Sequence, residues 1–374
     1  MLISMTLLAL VLPSQLLETM LRKHGWGTVV EDQALSLAAT NFATRIGRSV
    51  KPQTAAAMGD TLKFLLAQAG ISDAHVTPYT IVHDTDSNLA GQMPALIGRL
   101  QRRSPPTHFG VGQFRNGRQL TTSFILLHRG VHLSVPLPLS AKRGERIRVR
   151  AALRRGYFRP RVMVQPPGGA PVREYPAWTE NRTVDADIDL DAGPGPYALE
   201  VVADSQYGPV VLLNHTIYCN APAPERPIIR LDGHVSDLVQ VSPSEVMWQL
   251  MNNHRTRFGL APLLPHPKLS IAASEHAADM HRRKALSHGS PDTGTLASRV
   301  QALGLDCQAI AENLAEASTP HAAFRAFLDS PGHARNLRLV GMTHAGIAVV
   351  GRYYALTMAR LTPSPTSNTL EVKK

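Results

Sequence analysis

Cysteine is almost missing from this chain. Only Cys219 and Cys307 occur among 374 residues, which excludes a disulfide-stapled scaffold and a cysteine-built zinc site. Aromatic residues are scarce at 5 % and charged residues modest at 18 %, while 44 % is hydrophobic; this is ordinary globular composition, neither disordered nor collagen-like. No apolar run reaches the ~20 residues that cross a bilayer, so no transmembrane span is expected. The apolar start, Met1 to Leu12, has the length of an export h-region but lacks a basic flank and a clear small-residue cleavage site. It reads either as a shortened signal or as the start of a first helix. Two catalytic signatures are also absent: there is no His-Glu-x-x-His and no Gly-x-Ser-x-Gly elbow. What is plentiful is basic charge, 39 Lys and Arg against 28 Asp and Glu, net +11, which raises the question of an acidic partner.

The length fits two or three cores, and the ends of the chain resemble each other. Leu35-Ser-Leu-Ala-Ala-Thr-Asn-Phe-Ala-Thr-Arg-Ile46 aligns with Leu269-Ser-Ile-Ala-Ala-Ser-Glu-His-Ala-Ala-Asp-Met280 at an offset of 234. The same offset brings Leu62 onto Leu296 and Gly70 onto Gly304, each pair bounding a helical run. At 236, Thr107-His-Phe-Gly-Val-Gly112 meets Thr343-His-Ala-Gly-Ile-Ala348, and an apolar strand follows each, Thr121 to Leu127 and Tyr353 to Leu361. Shared order of helices, glycine stop and Thr-His-x-Gly strand predicts two copies of one α/β fold.

Between the copies lie seven β-rich runs, Val131–Leu137, Glu145–Leu153, Tyr157–Gln165, Val172–Trp178, Thr183–Leu190, Tyr197–Ala203 and Val210–Tyr218. Pro-Gly-Gly at 167–169 and Gly-Pro-Gly-Pro at 193–196 punctuate them. Such spacing suggests an immunoglobulin-like β-sandwich, and Ala221-Pro-Ala-Pro-Glu-Arg-Pro227 a stiff linker. The expected organisation is an apolar N-terminus at 1–13, an α/β domain at 14–129, a sandwich at 130–220, a linker at 221–241, a second α/β domain at 242–362 and a disordered tail at 363–374.

The last domain opens on Ser242-Pro-Ser-Glu245, a capping box before the helically spaced Val246, Leu250 and Met251. Then come Asn253-His-Arg, Gly259-Leu-Ala-Pro-Leu263, Ala272-Ala through Met280, Ser287-His-Gly289, Arg299, Glu312-Asn-Leu314, Ser330-Pro-Gly-His-Ala-Arg-Asn336 and Gly346-Ile-Ala348. In order and spacing this series, over residues 240–361, resembles the CAP superfamily of cysteine-rich secretory proteins, antigen 5 and plant pathogenesis-related proteins, in its compact bacterial form. The resemblance implies a three-layer α-β-α sandwich with a cleft lined by histidine and glutamate. Carried over by position, the cleft residues are His288, His333 and Glu312, with Asn313 as a loop-fixing amide. Many animal members have a second glutamate before the Gly-His element; here Asp329 is the nearby carboxylate. Residues 14–128 would be a divergent second copy.

Two imidazoles and a carboxylate from three segments suit a divalent metal such as zinc, suit acid/base work near neutrality, or form a structural polar network. The metal set would be His288, Glu312 and His333. His276 and His281, five apart, lie about 140° apart on a helix and cannot chelate as a helical pair. Ser287 and Ser330 beside histidines lack a defined acid. The expected role is a bacterial protein, secreted, periplasmic or envelope-associated, whose last domain binds a small-molecule, lipid or cell-envelope ligand; the alternatives are a metal-dependent hydrolase using the same cleft and an adhesive scaffold. The resemblance implies a range of roles, including lipid or sterol binding, defence, signalling and disputed proteolysis.

The repeat and the charge sharpen this. At the 234 offset Glu312 falls on Pro78 and Asn313 on Tyr79, so the first copy keeps core residues and loses the polar set. Positive charge concentrates only between Lys142 and Arg161, nine basic residues against Glu145. There Arg146, Arg148 and Arg150 alternate, as do Asp185, Asp187 and Asp189; paired on neighbouring strands they would neutralise one another. Nucleic acid is therefore not the expected partner.

Overall fold

The computed structural model describes residues 12–49, 55–85, 89–100, 105–177, 182–229 and 241–362; most of the apolar start, Trp178, Asn181 and the tail beyond 362 lie outside them. Within the described residues no helix is long and apolar enough to cross a membrane.

The last unit runs from the helix Pro243–Arg257 to the strand Tyr353–Leu361. Ser242 caps its first helix, its hydroxyl accepting from the Glu245 amide at 3.2 Å, as the capping box predicts. The sheet has the order Leu264–Pro265, His344–Val350, Tyr353–Leu361, Cys307–Glu316. The helix Pro267–Arg283 lies across it because Leu269, Ala273, Ala277 and Met280 form one buried stripe. Gly346 permits that approach: a Cβ there would stand 2.1 Å from the Leu269 carbonyl carbon. Buried Arg255 donates to the Ala261 carbonyl, in the turn after its own helix, and to those of Leu337 and Leu339, which satisfies groups left open at the end of the helix Pro331–Leu337.

The first unit repeats this plan. Its sheet order is Val30–Glu31, His108–Asn116, Gln119–Leu127, Val76–Asp84, with the same parallel edge pair followed by two antiparallel pairs. Gly110 meets the helix Gln33–Gly47 as Gly346 meets its own, a Cβ standing 2.3 Å from the Leu35 carbonyl carbon. Register fixes the equivalence across three strands. In the last unit Gly346 pairs with Thr357 and Thr357 with Glu312; in the first, Gly110 pairs with Ile125 and Ile125 with Pro78. Pro78 thus holds the place of Glu312, and by the next pair Tyr79 holds that of Asn313.

The middle unit has a three-stranded sheet, Thr183–Asp189, Arg146–Leu153 and Val131–Leu133, and a five-stranded one, Ser140–Ala141, Gly208–Cys219, Gly195–Ser205, Phe158–Gln165 and Arg173–Pro176. Both contribute to one core around Val149, Val162, Ile188, Leu199 and Val201. Arg146, Arg148 and Arg150 stand opposite Asp189, Asp187 and Asp185, and Arg148 forms two 2.8 Å bonds with Asp185, so the densest basic stretch is in part neutralised within its own sheet. Cys219 and Cys307 are both free thiols.

The units touch in pairs. Ser72 accepts from the Asn214 amide at 2.7 Å and its hydroxyl meets His215 at 2.8 Å, tying first to middle. Lys63 reaches Asp329 at 3.6 Å, tying first to last. The middle unit holds the last through Arg335 and Glu174, and through Glu200.

Candidate functional site

The centre of the site is Glu312, near the middle of the strand Cys307–Glu316 and 4 % exposed. One carboxylate oxygen accepts from Arg299 at 2.8 Å, the other from His288 Nδ1 at 3.0 Å. Burial alone would raise its carboxyl, but the hydrogen bond and charge of His288, with Arg299, win and hold it below the usual carboxylate range. Arg299, itself 5 % exposed, also donates to the carbonyls of His288 and Gly294. It is therefore the strut of the loop that carries His288. His276, completely buried one layer below, contacts the Ser287 carbonyl through Nε2 at 2.8 Å, and burial lowers its pKa.

His333 comes from the short helix Pro331–Leu337, capped by Ser330. Asn313 donates to the His333 carbonyl at 3.1 Å, and Asn336 donates to Asn313 Oδ1 at 3.0 Å and to the Glu312 carbonyl at 3.3 Å. The two amides fix the His333 helix to the strand of Glu312. The His333 ring lies edge-on to Phe327 at 5.4 Å and to His288 at 6.2 Å between centroids. Burial, with the neighbouring His288, pushes its pKa down to about 3.

Four of the five expected cleft residues, His288, Glu312, Asn313 and His333, therefore converge. Asp329 does not join them. It faces Lys63 and lines a cavity of about 650 Å³ where the three units meet. The carboxylate that reaches the start of the His333 helix is Glu200 of the middle unit, accepting from the Ser330 hydroxyl at 3.1 Å and the Gly332 amide at 3.3 Å. The sequence signal for it was a lone glutamate in the apolar run Tyr197 to Val202.

The expected three-ligand metal set is not assembled. Among the described residues no group of three His, Cys, Asp or Glu stands at metal-holding spacing, and both oxygens of Glu312 are engaged by Arg299 and His288. What the carboxylate does is orient an imidazole: with Nδ1–H donated to Glu312, neutral His288 presents an Nε2 lone pair. Two imidazole nitrogens are donors of the kind a borderline cation takes. The serines are occupied elsewhere. Ser287 Oγ donates to the Gly289 carbonyl and Ser330 Oγ to Glu200, so neither is paired to a histidine as a nucleophile.

The model of the CAP family, "Cysteine-rich secretory protein family", matches residues 248–356. These residues are a CAP domain. The CAP domain accounts for the sheet, the crossing helix and all the convergent residues. Among curated proteins the chain is similar to uncharacterized protein YkwD of Bacillus subtilis, 30 % identical over 103 residues, covering 27 % of this chain and 40 % of that protein. It is also similar to uncharacterized membrane protein YlbC of the same organism, 31 % identical over 117 residues, covering 31 % of this chain and 34 % of that protein. The chain thus spans less than half the length of either relative. Among solved structures, an extracellular protein containing a SCP domain from Bacillus anthracis aligns with 21 % identity and a TM-score of 0.31, over 46 % of this chain and 63 % of that one. A cysteine-rich secretory protein from Staphylococcus aureus aligns with 15 % identity and a TM-score of 0.29, over 89 % and 98 %.

Proposed function

We propose that the CAP domain is the ligand-binding part of a bacterial protein that is exported or envelope-associated, and that its cleft binds through His288 and His333. The observation that carries this is the Glu312–His288 pair, which fixes one imidazole with its outer nitrogen available beside a second, uncharged imidazole. A divalent cation such as zinc held by these two nitrogens would keep positions open for an exogenous group, a small molecule or the polar head of a lipid or envelope component. The neighbouring serine hydroxyls are spent on the protein itself, which argues against a serine nucleophile in this cleft. The first unit reads as a divergent CAP-like copy without the site, since Pro78 and Tyr79 occupy the register of Glu312 and Asn313. The middle unit reads as an immunoglobulin-like spacer, supported by a tyrosine corner in which Tyr197 donates to the Gly193 carbonyl at 3.0 Å.

Calorimetric titration of the full chain with zinc chloride checks the proposal. The expected result is one site, weakened at least about tenfold in His288→Ala and in His333→Ala, a loss of ~1.4 kcal/mol or more of binding free energy. Equal uptake in all three proteins would remove the metal, and turnover of a peptide or ester abolished by the same changes would favour the hydrolase alternative.

A further inference from the structure

The middle unit touches the CAP domain beside both histidines. At His288 the contact is the turn of the hairpin between Gly195–Ser205 and Gly208–Cys219. Gly208, at φ +94°, brings its backbone so near that a Cβ would lie 3.3 Å from His288 Cβ, and a Cβ on Gly289 would lie 2.6 Å from the Tyr207 carbonyl oxygen. Both sides of this contact need glycine, one for its backbone conformation and one for space. At His333 the contact is Glu200, which is completely buried. Its Oε2 accepts from the Ser330 hydroxyl, and that same hydroxyl accepts from the His333 amide at 3.3 Å. A single hydroxyl therefore separates Glu200 from the His333 backbone.

The position is a costly one for a carboxylate. Along Gly195–Ser205, Tyr197, Leu199 and Val201 enter the middle unit's core, which leaves Glu200 on the opposite face, where Met163 of the next strand is also buried. A Cβ on Gly332 would be 3.5 Å from Met163 Sδ and 3.6 Å from Glu200 Oε2. Among the described residues, besides its bonds to Ser330 and Gly332, Glu200 has only a long, 3.5 Å approach of Asn214 Nδ2 to its other oxygen. An apolar side chain would fill this site with less desolvation. Burial indeed lifts the Glu200 carboxyl to about 7 against the lowering hydrogen bonds of Gly332 and Ser330 and the charge of Lys63. What glutamate supplies that leucine cannot is one acceptor oxygen, Oε2, that takes both bonds from the first turn of the His333 helix.

We propose that Glu200 is a positioning residue of the CAP cleft, and that the middle unit, gripping the His333 helix through Glu200 and the His288 loop through the Tyr207–Gly208 turn, sets the separation of the two imidazoles. The site is then a property of two units docked together. The inference rests on the reading of these imidazoles as the binding groups.

The test uses the full chain with Glu200→Leu, which keeps the interface filled, Glu200→Gln, which keeps an acceptor, and Glu174→Ala, which removes the Arg335 contact at the same interface. Imidazole ¹H–¹⁵N signals are recorded without ligand, and zinc affinity is measured separately. Glu200→Leu is expected to stay folded, shift the His333 and His288 signals and weaken zinc about tenfold; Glu200→Gln should restore both, and Glu174→Ala should change neither. Unmoved imidazole signals in Glu200→Leu would overturn the proposal, as would equal shifts in Glu174→Ala. If the wild-type chain takes up no zinc, the metal reading fails while the imidazole signals still decide the role of Glu200.

Discussion

Replacing Arg299 by methionine will destabilise the CAP domain by about 3–5 kcal/mol, the cost of leaving a buried charge without its partner. Glu312 and Arg299 are 4 % and 5 % exposed, and their contact is 2.8 Å. Methionine fills the volume but leaves the carboxylate facing only His288, and it drops the bonds to the carbonyls of His288 and Gly294. The remaining way to relieve the charge is to protonate Glu312, which would also remove the acceptor that orients His288. Glu312→Gln keeps the shape but leaves the buried Arg299 without its counter-charge, so its cost should be similar. Calorimetric melting of the whole chain reads this as a downward shift of the CAP transition, on the order of 10 °C. The units need not melt together, so the CAP transition must be assigned, for example from Trp248, the tryptophan of that domain. A shift equivalent to less than about 1 kcal/mol, as exposed pairs give, would show that the pair carries little.

The second large effect lies at the helix–sheet contact. Gly346→Ala should cost at least about 3 kcal/mol, the upper end for forcing a methyl into a packed interior. The new Cβ would stand 2.1 Å from the Leu269 carbonyl carbon and 2.2 Å from the Ser270 amide, backbone that can yield only if the helix Pro267–Arg283 lifts from the sheet. Gly110→Ala should do the same to the first unit, where the corresponding atoms are 2.3 and 2.4 Å away. The two variants differ in what else they disturb: Gly346→Ala should broaden or move the imidazole signals of the cleft, and Gly110→Ala should leave them in place. Gly59→Ala is the control, since nothing lies within 4 Å of its Cβ position and it sits inside the helix Ala55–Gln68; it should be neutral or stabilise by about 0.5–1 kcal/mol. A harmless Gly110→Ala beside a damaging Gly346→Ala would break the equivalence of the two units.

That equivalence was legible in the sequence because it is written in short-range patterns. The alanine-rich faces of Gln33–Gly47 and Pro267–Arg283, and a glycine two residues after Thr-His, are what two layers need to pack closely. Hence the gapless offset that placed Pro78 under Glu312 is the register the strands adopt. The seven runs of the middle unit agree with the observed strands to within a few residues, as alternation and turn residues dictate. Cleft membership of His288, Glu312, Asn313 and His333 came from the family resemblance. Their roles did not, because whether Glu312 binds a cation or orients a histidine depends on Arg299 being within reach. Asp329 was misplaced for a related reason: it ends the helix Pro320–Asp329 facing another unit. Glu200 lies 130 residues from Ser330, and no periodicity in its own strand says which unit its outer face will meet.

The pH behaviour of the cleft follows from burial. Unfolded histidine takes its proton near 6.5, whereas His333 is held to about 3. Between those values the unfolded chain binds more protons, so stability falls as pH drops through that window, by up to ~1.4 kcal/mol per unit from this group. Glu200 runs the other way: its contribution is complete below about 4.5 and is lost as pH rises through about 7.

The most direct measurement is a long-range ¹H–¹⁵N correlation of the histidine rings in the full chain, from pH 8 to pH 5, before and after zinc chloride. The account predicts that His333 stays neutral throughout, that neutral His288 is protonated on Nδ1 toward Glu312, and that zinc moves the free nitrogen of His288 together with His333. A His333 ring titrating near 6.5, or neutral His288 carrying its proton on Nε2, would contradict it.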